Sequence, residues 1–188
     1  MKSLELGEIL SPVGNKEMLE AAVRSGADAV YLALKSFGMR AAADNFTFDE
    51  LKEGIAYAHS YGAKVYVTLN IMPRDKDFEA LREILETMKT ITPDAVIVSD
   101  PGVVRMIKTV FPELEIHLST QTSTVNSYSC NFWYDLGIKR VVLARELSLK
   151  EIKEIRKNIP DDMELEVFVH GAMCVSYSGR CLLSNYFT

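Results

Sequence analysis

Glycine and proline are scarce in this chain, 10 and 6 among 188 residues, which excludes a collagenous or low-complexity protein. Cysteine is scarcer still, at three: Cys130, Cys174 and Cys181. The opening segment, MKSLELGEIL, has no apolar export core, so a disulfide framework does not suit the chain. A close cysteine pair is then read first as metal-binding or redox-active. Long hydrophobic runs are also missing, because charges interrupt every stretch well before the roughly 18 apolar residues that a spanning helix requires. The sequence therefore reads as a cytoplasmic protein with no membrane partner. Excess positive charge is absent: 21 Lys and Arg face 26 Asp and Glu, for a formal charge of −5 and a pI near 5.3. That balance argues against a dedicated nucleic-acid surface while leaving room for a local basic patch. What is present is an ordinary globular mixture, 48% hydrophobic and 25% charged, which excludes disorder as the main state.

Several chemical motifs are missing as well. The first turn after a strand, Ser11-Pro-Val-Gly14-Asn15, holds one glycine and cannot form the glycine-rich cradle of a dinucleotide fold. There is no Walker-type phosphate loop, no H-E-x-x-H helix and no G-x-S-x-G elbow, so familiar hydrolase geometry has no local support.

Seven short β-branched runs recur, at 8–11, 27–33, 64–70, 94–99, 115–119, 139–144 and 164–169, each followed by a segment of helical period. Such alternation is the pattern of parallel βαβ units. Thr47 with Glu50 and Ser148 with Glu151 read as capping boxes, and Asp100-Pro101 as a third helix start. Gly26, Gly62 and Gly137 fall where helices should hand back to strands. The spacings Met18, Leu19, Ala22, Val23 and Leu81, Ile84, Leu85, Met88 give one apolar stripe per helix. Polar residues close one run after another (Asn70, Asp100, Gln121, Arg145 with Glu146, His170), which favours a (β/α)8 TIM-type barrel over an open doubly wound sheet, because several strand ends then converge on one mouth. The whole of 1–188 reads as a single barrel domain, but an incomplete one. Seven strands are used by Val169, and the remaining 19 residues hold a Gly- and Cys-rich loop. The expectation is that the eighth strand is missing or supplied elsewhere. The chain would then be the N-terminal part of a longer protein, or a neighbouring chain would close the gap.

Chemistry concentrates after the seventh run. Cys174 and Cys181 have six residues between them, close enough to converge on one centre if the loop containing Gly179 folds back, and thiolates suit an iron–sulfur cluster or Zn. Unligated buried thiols remain an equal alternative, and Zn held by His170, Cys174 and Cys181 is another. Cys130, beside Phe132 and Trp133, reads as core packing. Arg40, Arg145 and Arg180 can grip carboxylates through their guanidinium forks, or serve in ion pairs. Gln121, Asn70 and Asn45 can bond a polar substrate or tie down loops. His117 reads as a satisfied core histidine, His59 as a surface residue, and Tyr177 as packing beside the Cys loop or a stacking partner for a base.

The segment Glu166-Val-Phe168-Val-His170-Gly171-Ala172-Met173-Cys174, four residues, then Gly179-Arg180-Cys181-Leu182-Leu183-Ser184 resembles the signature of the collagenase-like peptidase family of unassigned catalytic type. It matches at Glu166, Phe168, Gly171, Ala172, Met173, Cys174, Gly179, Cys181, Leu183 and Ser184. The resemblance extends over nearly the whole chain and implies a barrel. Its implied activities divide between the peptidase of the family name and hydroxylation, either of RNA (the wobble uridine of tRNA, or ribosomal RNA) or of the ubiquinone ring. The wording around Cys174 is most similar to the tRNA-hydroxylating branch. For that branch the resemblance implies a 4Fe-4S cluster with Cys174 and Cys181 as two of four ligands, prephenate as a possible co-substrate linked to the hydroxyl donor, and tRNA as partner. Within that implied site, Arg145, Glu146, His170 and Gln121 are the candidate catalytic residues, and Arg40, Arg180 and Asn70 the candidate cofactor-binding ones.

Overall fold

The computed structural model describes residues 7–35, 45–171 and 176–178. Every expected run forms a strand: β1 (Leu10–Pro12), β2 (Ala29–Ala33), β3 (Lys64–Leu69), β4 (Ala95–Val98), β5 (Glu115–Leu118), β6 (Arg140–Val142) and β7 (Glu164–Glu166). Between them lie α1 (Lys16–Arg24), α2 (Phe48–Ser60), α3 (Phe78–Ile91), α4 (Pro101–Val110), α5 (Ser127–Asp135) and α6 (Leu149–Lys157). All neighbouring strands pair in parallel, in the order β1 to β7.

Strand alternation separates two faces. On the outer one, Val30, Val65, Val67, Val96, Val98, Leu118 and Val141 are buried beneath the helices. The helices answer with their own stripes, including Leu81, Ile84, Leu85 and Met88 on α3 and Val103, Val104 and Ile107 on α4. On the inner face Ala29, Tyr66, Ala95 and Ile97 pack together, with Leu10 and Tyr31 against them. The sheet curls far enough for Arg140 of β6 to bond Glu8, immediately ahead of β1, across the interior. This is the curled, helix-covered seven-stranded part of a TIM-type barrel, and no strand joins β7 to β1 among the described residues.

Local signals behave as their chemistry requires. Thr47 with Glu50 and Ser148 with Glu151 form complete capping boxes, and Asp100 accepts from Val103 N with Pro101 at the first helical position. Gly26, Gly62 and Gly137 all have positive φ. Two expectations shift, and one helix ends in a way the sequence reading did not address. β1 begins later and includes Pro12, which an edge strand tolerates because its missing N–H has no ladder partner to lose. Met18 does not join the α1 stripe and is 55% exposed, whereas Leu19 and Val23 are buried. α3 ends without glycine, at Thr92 in the left-handed region (φ 53°).

Candidate active site

The segments that follow β5 and β6 meet around one buried residue, Ser178, which is 0% exposed. It lies in the loop between Cys174 and Cys181 and is held on three sides. Its N–H donates to Glu146 Oε1 at 2.7 Å, its Oγ accepts from Arg145 N at 3.2 Å, and its carbonyl accepts from Ser123 Oγ. Ser123 can reach because it sits in the left-handed region (φ 52°) at the end of the turn Thr120–Thr122. The turn itself is tied to β6 through Thr120 Oγ1 donating to Leu143 O. Glu146 is slightly desolvated, but the hydrogen bonds from Ser178 outweigh that and hold its carboxyl below the ordinary value.

Arg145 is different. Its guanidinium lies over the Phe168 ring, 5.9 Å from the centroid, and its Nε is buried with no acceptor among the described residues. A buried donor left unmatched costs free energy, so the geometry suits an incoming oxygen. Phe168 is 49% exposed, so aromatic surface is open beside the guanidinium. A base or an acid stacked there would meet both a ring and a cation.

The other sequence candidates are placed as follows. Gln121 is half-buried in the turn that holds Ser178, so it lies beside the clamp. Asn70 follows β3 and is half-buried, while His170 is exposed beyond β7. Asp100 is occupied as the α4 cap rather than free at the mouth. Arg40, Arg180, Cys174 and Cys181 lie outside the described residues. Cys130 is fully buried on α5, and burial pushes its thiol up to about 11, which keeps it protonated and out of ligand chemistry. Among the described residues no group of three or more His, Cys, Asp or Glu side chains is arranged to hold a metal ion.

The profile of Peptidase family U32 matches residues 14–188. The chain belongs to this family. Among its relatives, tRNA hydroxylation protein P1 of Bacillus subtilis is 45% identical over 181 residues, covering 96% of this chain and 42% of that protein. The 23S rRNA 5-hydroxycytidine C2501 synthase of Escherichia coli is 37% identical over 178 residues, covering 95% of this chain and 26% of that protein. The chain thus spans well under half the length of these relatives. The structure of the U32 peptidase Mk0906 superposes with a TM-score of 0.70 at 17% identity, covering 89% of this chain and 70% of that one, a likeness of fold.

Beneath the mouth, the U32 barrel interior holds a charged network that sequence reasoning missed, apart from His117. Arg140 bonds Glu8 and Glu164, and Tyr66 Oη donates to both oxygens of Glu8 at 2.8 and 2.9 Å. Burial raises the Glu8 carboxyl, but the bonds from Arg140 and Tyr66 outweigh it and hold it below its usual range. The His117 ring meets Tyr66 edge-on at 4.6 Å, and its Nε2 pairs with Glu115 at 2.8 Å. Burial lowers the His117 pKa, favouring the neutral ring, and its Nδ1 has no partner among the described residues, so this core histidine is only half satisfied. His59 is exposed, as expected, and pairs with Asp94. The signal for the network was strand parity: Arg140 is two residues before Val142 and opposite in face to Val141, so it had to point inward.

The clamp on Ser178 makes a prediction. Glu146→Ala should remove the acceptor for Ser178 N–H, abolish hydrogen-exchange protection at that amide, and cost only about 1 kcal/mol because the carboxylate is exposed. Unchanged protection at Ser178 would show that the loop is held by its other two bonds.

Proposed function

We propose that this chain is the barrel part of an RNA-modifying hydroxylase that acts on a uridine of tRNA. The observation that carries the reading is Arg145, a guanidinium at the end of β6 with a buried, unmatched Nε–H, stacked over a half-exposed aromatic ring. That pairing suits a flat, oxygen-bearing ligand, either an unpaired pyrimidine or the carboxylate of a donor such as prephenate. The relatives named for tRNA and rRNA hydroxylation support the same reading. The family's peptidase name finds less support, since the sequence holds no H-E-x-x-H helix and no G-x-S-x-G elbow.

Cys174 and Cys181 would hold the implied 4Fe-4S cluster in part, the other ligands coming from elsewhere. Two soft thiols suit that group, and Ser178, pinned between them in sequence, fixes the middle of their loop against the mouth. When bound, the cluster would supply electron transfer or activation of the oxygen donor. The residues described here would do the holding. Arg145 would orient an oxygen of the ligand, Phe168 would stack, and Gln121 and Asn70 would line the approach.

The test is nucleoside mass spectrometry of tRNA from a strain lacking its own uridine hydroxylation, given the reading frame that contains these 188 residues. Hydroxylated uridine should return with the wild type and fall at least tenfold with Arg145→Ala, roughly the loss of one charged hydrogen bond in the transition state. No return of the modification with a stably expressed wild type would overturn the reading.

A further inference from the structure

Strand alternation places Glu164 and Glu166 on the inner side of β7, and Phe168, the stacking ring under Arg145, follows two residues beyond the strand's end. Glu166 is the middle of the three in sequence. Its Oε2 is buried and has no hydrogen-bond partner among the described residues. Arg140 Nη1 stands 3.8 Å away, beyond hydrogen-bond reach, with its donors already directed at Glu8 and Glu164. The backbone holds the residue at this level, because Leu143 N donates to Glu166 O.

We propose that Glu166 is the proton-transfer group of this site, accepting the proton that a pyrimidine ring releases on hydroxylation and returning it to the spent oxygen donor. The inference rests on the RNA-hydroxylase reading above.

Three features lead there. A carboxyl without a donor is an expensive way to fill a barrel interior, since an apolar or amide side chain of that size would avoid the desolvation. The two carboxyls around it are satisfied by the same guanidinium, so Glu166 is the one whose oxygen remains for a ligand. Burial also pushes its carboxyl up to about 7, where a group can take up and release a proton in turn. The charged groups facing it are Arg140 from β6, Glu8 from ahead of β1 and Glu164 on its own strand.

The step balances without other reactants. The donor, a two-electron oxygen donor X–OH, forms a bond from its oxygen to the ring carbon while its X–O bond breaks, the electron pair leaving with X. The ring C–H bond then breaks, its pair restoring the ring double bond and its proton passing to Glu166 Oε2. Glu166 delivers that proton to X, so that C–H and X–OH become C–OH and X–H.

The test uses the full-length protein that contains these residues, with tRNA hydroxylation measured across pH for wild type, Glu166→Gln and Glu166→Asp, and tRNA affinity and thermal unfolding measured in parallel. The glutamine variant should turn over at least 100-fold more slowly while binding tRNA within about twofold of wild type, the range expected for loss of a general base. The aspartate variant should retain part of the rate, and the wild-type profile should show a limb near pH 7 that the glutamine variant lacks. A glutamine variant that hydroxylates tRNA at the wild-type rate would overturn the proposal and leave the RNA reading standing. A wild type that modifies no RNA would overturn both.

Discussion

Replacing Arg140 by methionine should lower the unfolding free energy by about 3–5 kcal/mol, the usual cost of stranding a buried charge by removing its partner. Arg140 is only 9% exposed and serves carboxylates from two parts of the chain, Glu8 ahead of β1 and Glu164 of β7, while lying over the Tyr66 ring at 5.4 Å. Methionine would keep most of the volume, so the loss would come from charge rather than a cavity. Glu8 would suffer most, because Tyr66 and the exposed Lys64, 3.5 Å away, would be its remaining partners. The pH dependence has a defined sign. The folded Glu8 carboxyl lies below its unfolded value, so its contribution is present above the unfolded pKa near 4.5 and lost as pH falls through the folded one. Urea unfolding at pH 7 and pH 3 should show the variant's deficit shrinking in acid. A second substitution, Glu8→Gln, should restore part of the loss at neutral pH by removing the stranded charge. A methionine variant within 1 kcal/mol of wild type at pH 7 would mean that water already solvates Glu8.

The curl of the sheet explains why the fold was easier to read than its interior. Seven strands followed from β-branched runs between capping boxes and glycines, and those signals are local. Strand ends were less legible: the sixth run ends its ladder at Val142 rather than Ala144, where Ala144 N turns to Thr124 O instead of a strand neighbour. Arg140 and Glu8 stood in the sequence only as members of strand runs and Glu166 as a signature position, and only the closure that brings β6 opposite β1 makes the network visible. The mouth was half legible. Arg145, Glu146 and Gln121 were picked out by position after their strands, but Ser178 and Ser123, which hold the Cys loop to them, carry no signature beyond being serines. Asp100 carried two readings, a polar strand end at the mouth and a helix cap, and it serves as the cap.

Glu166→Gln should make the protein more stable at pH 8 by on the order of 2–3 kcal/mol and leave it nearly unchanged at pH 4. The sign is opposite to that of Glu8. Burial raises the folded Glu166 carboxyl to about 7 from a model-peptide value of 4.5, so the folded state holds its proton more tightly than the unfolded chain does. Stability from this group is therefore fully present below the unfolded pKa and is lost as pH rises through 4.5 to about 7, where the carboxylate must be charged in the interior. An amide of the same shape has nothing to ionise and escapes that penalty. The two carboxyls lie in the same interior, and the difference between them is one guanidinium whose donors reach Glu8 and stop 3.8 Å short of Glu166. Thermal unfolding of both proteins from pH 4 to pH 8 would measure it. Parallel curves for wild type and variant would show that Glu166 ionises freely, and a crossing that opens above pH 5 would show a carboxyl kept at a cost to stability, as expected where a side chain is retained for chemistry rather than packing.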